Sequence, residues 1–295
     1  MSIDLSAAAA FMATHARLLD RRRFAFLTGE GDVAATLNAL DGYRNPDGGY
    51  GWGLEPDLRS PESQPAGALH AFEVFDEIGP AAAGRAAGLC DWLESVSFPD
   101  GGVPFALPTR DGAGNAPWWA GADTTVSSLQ ITAAVAAGAH RVAVQDPAVA
   151  AHPWLGRATA YCLAGIAALD EAPHAYTLLF VARFLDAVHA THPQAEDLLG
   201  HVGAYFPSDG LLPVEGGAEG ETLRPLGVAP YPGTPARKLF TPEAVSADLD
   251  RLAGSQAGDG GWTIDFAPIS PAAAMEWRGY TTVSAIDLLR RNGRI

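Results

Sequence analysis

The sequence predicts an all-α fold, an α/α toroid with inner and outer rings of helices, on three observations. First, the phrase Pro46-Asp47-Gly48-Gly49-Tyr50-Gly51-Trp52 recurs as Pro99-Asp100-Gly101-Gly102-Val103-Pro104-Phe105, as Ser208-Asp209-Gly210-Leu211-Leu212-Pro213 and as Gly258-Asp259-Gly260-Gly261-Trp262. Second, its aspartates stand at 47, 100, 209 and 259, a period of roughly fifty residues with one copy eroded near 154, and such a period marks a repeat architecture. Third, the space between copies holds two helices of about 15 residues each, alternately poor in charge and amphipathic. The repeating unit is then a helical hairpin, and hairpins in series make a closed ring around a central cavity.

The phrase itself is a turn. Aspartate accepts backbone N–H groups there, the two glycines supply positive φ, and the aromatic that follows packs on the next helix.

Taken in order, residues Leu5 to about Leu27 carry apolar positions at helical spacing, with arginines toward the end and Gly29 closing the helix. Asp32 caps a second helix to Leu40 or Tyr43. After Trp52 the stretch Leu54 to Gln64 is too rich in proline for a helix and reads as an acidic loop. Helices follow at about Gln64–Ile78 and Ala82–Ser95. Asp123-Thr124-Thr125 is an N-cap signal for a helix that is free of charge to Ala139 and therefore buried on every side. Further helices are expected at Trp154–Asp170, Pro173–Ala190, Ala195–Tyr205 and Pro242–Ser255. Between Gly216 and Lys238 four prolines replace the expected inner helix by a long loop. Thr263 to Trp277 reads as a loop, and Tyr280-Thr281-Thr282-Val283-Ser284 as the opening of the last helix. Thr-Thr-Val-Ser also stands at Thr124 to Ser127, at a matching distance from its own turn, as if it marked a second register of the repeat.

One domain spanning 1–295 is expected. A net charge of −15, from 19 basic and 34 acidic residues, argues against nucleic acid as a partner. The two cysteines, Cys90 and Cys162, fit buried hydrophobes in a reducing compartment, and no apolar run is long enough to span a bilayer. A cytoplasmic location is the expectation. No histidine spacing implies a metal, and no cofactor is implied; oligomeric state is not legible.

The last copy with its preceding residues, Gln256-Ala257-Gly258-Asp259-Gly260-Gly261-Trp262, resembles the Gln-Trp repeat of squalene and other class II terpene cyclases, shared more loosely with protein prenyltransferase β-subunits. That resemblance implies a toroid whose cavity takes an isoprenoid-like substrate and stabilises carbocations with aromatic faces. The Asp-x-Asp-Asp-Thr-Ala signature of those cyclases is matched best by Ala120-Gly121-Ala122-Asp123-Thr124-Thr125, with Ala122 at the proton donor's place. Cyclisation by protonation would then use a non-standard acid.

Four carboxylates are candidates. Asp123 reads as a helix cap or, if it faces an apolar cavity, as a general acid. Glu55 and Asp57 stand two apart on a proline-stiffened loop, where they can form an acid–base or metal-binding pair or merely solvate it. Glu276 either pairs with Arg278 and solvent or faces the cavity. Trp52, Trp118, Trp119, Tyr176, Trp277 and Tyr280 fall at inner-helix starts or in the loops before them, and read as core packing or as a substrate wall. A glycan-processing α/α-barrel enzyme with paired carboxylates is the alternative, as is a binding protein without catalysis.

Overall fold

The computed structural model describes residues 3–295, and they are predominantly helical. In chain order the helices are α1 (Leu5–His15), α2 (Leu18–Thr28), α3 (Val33–Asp41), α4 (Pro65–Ile78), α5 (Arg85–Val96), the single turn α6 (Pro117–Ala120), α7 (Leu129–Ala143), the short α8 (Pro147–Ala150), α9 (Pro153–Ala167), α10 (Ala175–Val188) and α11 (Gln194–Gly203). A two-stranded antiparallel hairpin, β1 (Leu212–Pro213) and β2 (Thr222–Leu223), precedes α12 (Pro225–Val228), α13 (Pro242–Gly254) and α14 (Pro271–Arg291). The proline-rich stretch between Gly216 and Lys238 holds no long helix, as its composition dictates.

The chain divides into two compact units, one made of residues up to Leu40 with Phe206–Ile295, the other of Asp41–Tyr205. In the second unit α4, α7 and α10 lie side by side, and α5, α9 and α11 form a second layer, each packed on its own partner. The hairpin alternation is real there. Helix α7 is the centre: its residues Ile131 to Ala139 are all buried, because no charged group interrupts them. Gly138 lets it approach α4, since a Cβ there would stand 2.8 Å from that of Phe72.

In the first unit α14 packs on α1, α2 and α13 around Phe11, Met12, Phe24, Trp262 and Ile286. Gln256 of the last turn exchanges two hydrogen bonds with the backbone of Asp4, so the first helix is docked on the last repeat.

The repeated phrase folds the same way each time. The first glycine, Gly48, Gly101, Gly210 or Gly260, takes positive φ, and the aspartate accepts the N–H two residues on at 3.0 to 3.2 Å. The second glycine does something else than expected. It has no positive φ; it admits an aromatic side chain from a neighbouring helix, Trp92 at Gly49, Tyr161 at Gly102 and Phe11 at Gly261.

Four expectations are corrected. The helix expected from Leu5 to Leu27 is two, broken at Ala16-Arg17 where both residues are extended and Arg17 instead binds Asp20 at the start of α2. Helix α7 starts at Leu129 with Ser128 as its cap position, five residues beyond Asp123. Helix α14 starts at Pro271, capped by the Ser270 hydroxyl, which takes in most of the expected loop's second half. The two Thr-Thr-Val-Ser segments are therefore not equivalent, one lying in a turn and the other within a helix.

Candidate functional site

The stretch Gly53 to Ser60 is a loop, yet nearly all of it is buried, and that is unusual because a loop must satisfy its own backbone polar groups. It does so partly through a second loop. The Asp57 carbonyl accepts the Ala116 N–H at 2.8 Å, Asn115 bonds both the N–H and the hydroxyl of Ser60, and the Gln64 amide pairs with both backbone groups of Leu107. Two expected site loops are thus laced together.

Glu55 and Asp57 are 8% and 3% exposed, which overturns the expectation of a solvated acidic loop. Glu55 Oε1 accepts the Asp57 N–H at 3.1 Å, and Glu55 Oε2 lies 2.9 Å from His70 Nε2. The other ring nitrogen, Nδ1, lies 2.9 Å from Glu73 Oε2, one helical turn on along α4. The result is a buried carboxylate–imidazole–carboxylate chain. Burial alone would push the ring's pKa down; the charge of Glu73 and the hydrogen bonds to Glu55 and Glu73 outweigh it and bring the ring to about 9. The two glutamates thus favour the protonated ring between them.

His70 and Glu73 were not legible as site residues. Their i,i+3 spacing on α4 is common, and nothing in the sequence brings Glu55 to them.

The aromatic residues of these loops differ in setting. Trp52 and Trp118 are 57% and 50% exposed, whereas Trp119 is half-buried and stacks on Phe105 at 4.5 Å. Trp52 has φ of +57°, a conformation that a bulky side chain adopts at a cost, and its indole N–H bonds the Asn45 side chain at 2.8 Å. Strain of this kind gathers at sites where function requires it.

Asp123 is exposed and accepts both the N–H and the hydroxyl of Thr125, which hold its carboxyl below the usual carboxylate range. It caps its own turn and not a helix. Tyr176 stands at the start of α10, stacked with His174. Glu276, Trp277 and Tyr280 belong to the first unit, where Trp277 packs edge-on against Phe266 and Tyr280, and Arg23 lies over the Tyr280 ring at 5.3 Å. Arg278 pairs with Asp259 of the last turn through two 2.8 Å hydrogen bonds.

Among the described residues no group of three or more His, Cys, Asp or Glu side chains is arranged to hold a metal ion, and no helix is long and apolar enough to cross a membrane. No protein-family model matches the sequence, and no curated protein matches it. In fold the chain is similar to the crystal structure of a protein from Actinoplanes, with a TM-score of 0.56 and 16% identity over 98% of this chain and 89% of that one. At that identity the likeness is one of fold alone.

Proposed function

We propose that the protein is an acid–base enzyme centred on Glu55, Asp57 and His70, acting on an apolar, isoprenoid-like substrate laid against Trp52 and Trp118. The observation that carries this is the Glu55–His70–Glu73 chain, formed where a buried acidic loop meets α4. In this reaction a carboxyl O–H gives its proton to an alkene carbon, the next double bond closes on the cation, and loss of a proton ends the sequence. The carboxylate left on Glu55 keeps a donor already in place, the Asp57 N–H on Oε1. Tryptophan faces stabilise the cation. The hairpins are taken to close into an α/α toroid, consistent with the docking of α1 on the last repeat.

The test is incubation with polyprenyl diphosphates and mass-spectrometric analysis of products. A cyclised product that Glu55→Gln or Asp57→Asn abolishes, with the fold intact, supports this function; turnover unaffected by both variants rules these carboxylates out. The exposure of Trp52 and Trp118 favours a second reading, glycan processing, in which the indoles stack on sugar rings. Glycan hydrolysis without any prenyl product would select it.

A further inference from the structure

We infer that Glu73 is a positioning residue of this site: it pins a proton on His70 Nδ1, so that the mobile proton of the chain is the one shared between His70 Nε2 and Glu55 Oε2. This rests on Glu55 being the reacting carboxylate. The geometry is specific. His70 and Glu73 share one face of α4, and Glu55 approaches the opposite ring edge from the buried loop, each contact being 2.9 Å.

A neutral ring carries a single N–H, so between two carboxylates one edge would set a lone pair against a negative oxygen. Two arrangements avoid that clash while Nδ1–H faces Glu73. Either the ring is an imidazolium and Glu55 a carboxylate, or the ring is neutral and Glu55 carries the proton on Oε2. They differ by one proton moved from Nε2 to Oε2. Delivery then runs from Nε2 to Oε2 to the substrate carbon, which leaves His70 neutral with Nδ1–H in place, its Nε2 lone pair set against the Glu55 carboxylate until a proton returns, and the positive charge on the substrate. A proton lost from the product cation to Glu55 restores the start. The Glu73 side chain, 23% exposed against 6% for the ring and 10% for Glu55, stands at the wetter end of the chain. Glu55 from the loop and Glu73 from α4 are charged groups that face the ring and raise its pKa.

The experiment is nitrogen-15 NMR of the His70 ring in the full chain. Glu73→Gln keeps an acceptor for Nδ1–H but removes the charge, and the midpoint is expected to fall from about 9 by at least about one unit with the Nδ1–H tautomer retained. Glu73→Leu removes the acceptor as well, and the neutral ring is expected to lose its tautomer preference; Glu73→Asp is expected to restore the midpoint. An unchanged midpoint in Glu73→Gln overturns the inference, whether or not the leucine variant folds. With a turned-over prenyl substrate, Glu73→Gln is expected to lower kcat at constant KM and to move the basic limb of the pH profile downward. If no prenyl substrate is turned over but the ring responds as expected, the proposed reaction fails and the pinning stands.

Discussion

Thr132 and Thr282 hold equivalent places in the repeat: each hydroxyl accepts, at 3.0 Å, the N–H of the residue that follows a Gly-Gly pair, Val103 in one case and Trp262 in the other. Both threonines are fully buried. Valine at either position keeps the shape and strands a backbone donor away from water. Thr132→Val and Thr282→Val are each expected to lower unfolding free energy by about 1 to 3 kcal/mol, and serine to recover most of it, as urea titration would measure.

The turn glycines separate two kinds of cost. Gly48 has φ of +94° and a Cβ there would meet nothing nearer than 3.5 Å, so Gly48→Ala is expected to cost only the backbone strain, about 1 to 2 kcal/mol. Gly260 has nearly the same φ, but its Cβ would press into the Ala7 carbonyl of α1. Overpacking adds about 1 to 3 kcal/mol to the strain, so Gly260→Ala is expected to be clearly the less stable variant in the same titration.

Two histidines of the second unit respond to pH in opposite senses. His70 has its pKa raised to about 9, so its contribution is fully present below about 6.5 and fades as pH rises through 9; its full size is roughly 3 kcal/mol. His140 is held down to about 4 by burial first and by the charge of His192 second, and its Nε2 bonds the Thr159 hydroxyl at 2.7 Å. The unfolded chain therefore binds the extra proton between about 6.5 and 4, and stability is lost as pH falls through that window. Unfolding measured from pH 4 to 10 is expected to show a flatter acid side in His140→Gln and a flatter basic side in His70→Gln.

The elements whose signals are local were legible in the sequence. The Asp-Gly-Gly turns, the charge-free run that becomes α7, and the prolines that exclude a long helix after Gly216 each act through their own few residues. What was missed depends on partners far along the chain. The break at Ala16 contains no glycine or proline, and follows from where α1 and α2 pack and from Arg17 meeting Asp20. The true second register, Thr132 with Thr282, is visible only as two hydrogen bonds to distant N–H groups, whereas the repeated Thr-Thr-Val-Ser was a coincidence of letters. Glu55 and Asp57 were candidates from their spacing, but their burial and the contact of Glu55 with His70 follow from a loop folding back on α4. The toroid-level resemblance named a reaction; it could not name these residues.

Trp52 offers the sharpest test of whether strain and function coincide. Its φ of +57° is tolerated by glycine and resisted by alanine, while both substitutions remove the exposed ring and its bond to Asn45. Trp52→Gly is expected to be more stable than Trp52→Ala by about 1 kcal/mol, because alanine keeps the strain that glycine relieves. If the indole is a wall of the substrate site, both variants are expected to lose at least about tenfold in affinity for a farnesol-like probe, equivalent to about 1.4 kcal/mol. A loss of binding equal in the two variants, with stability differing as stated, separates the ring's role from the backbone's. Equal stabilities would mean that the turn relaxes on losing the indole, and unchanged affinity would remove Trp52 from the site.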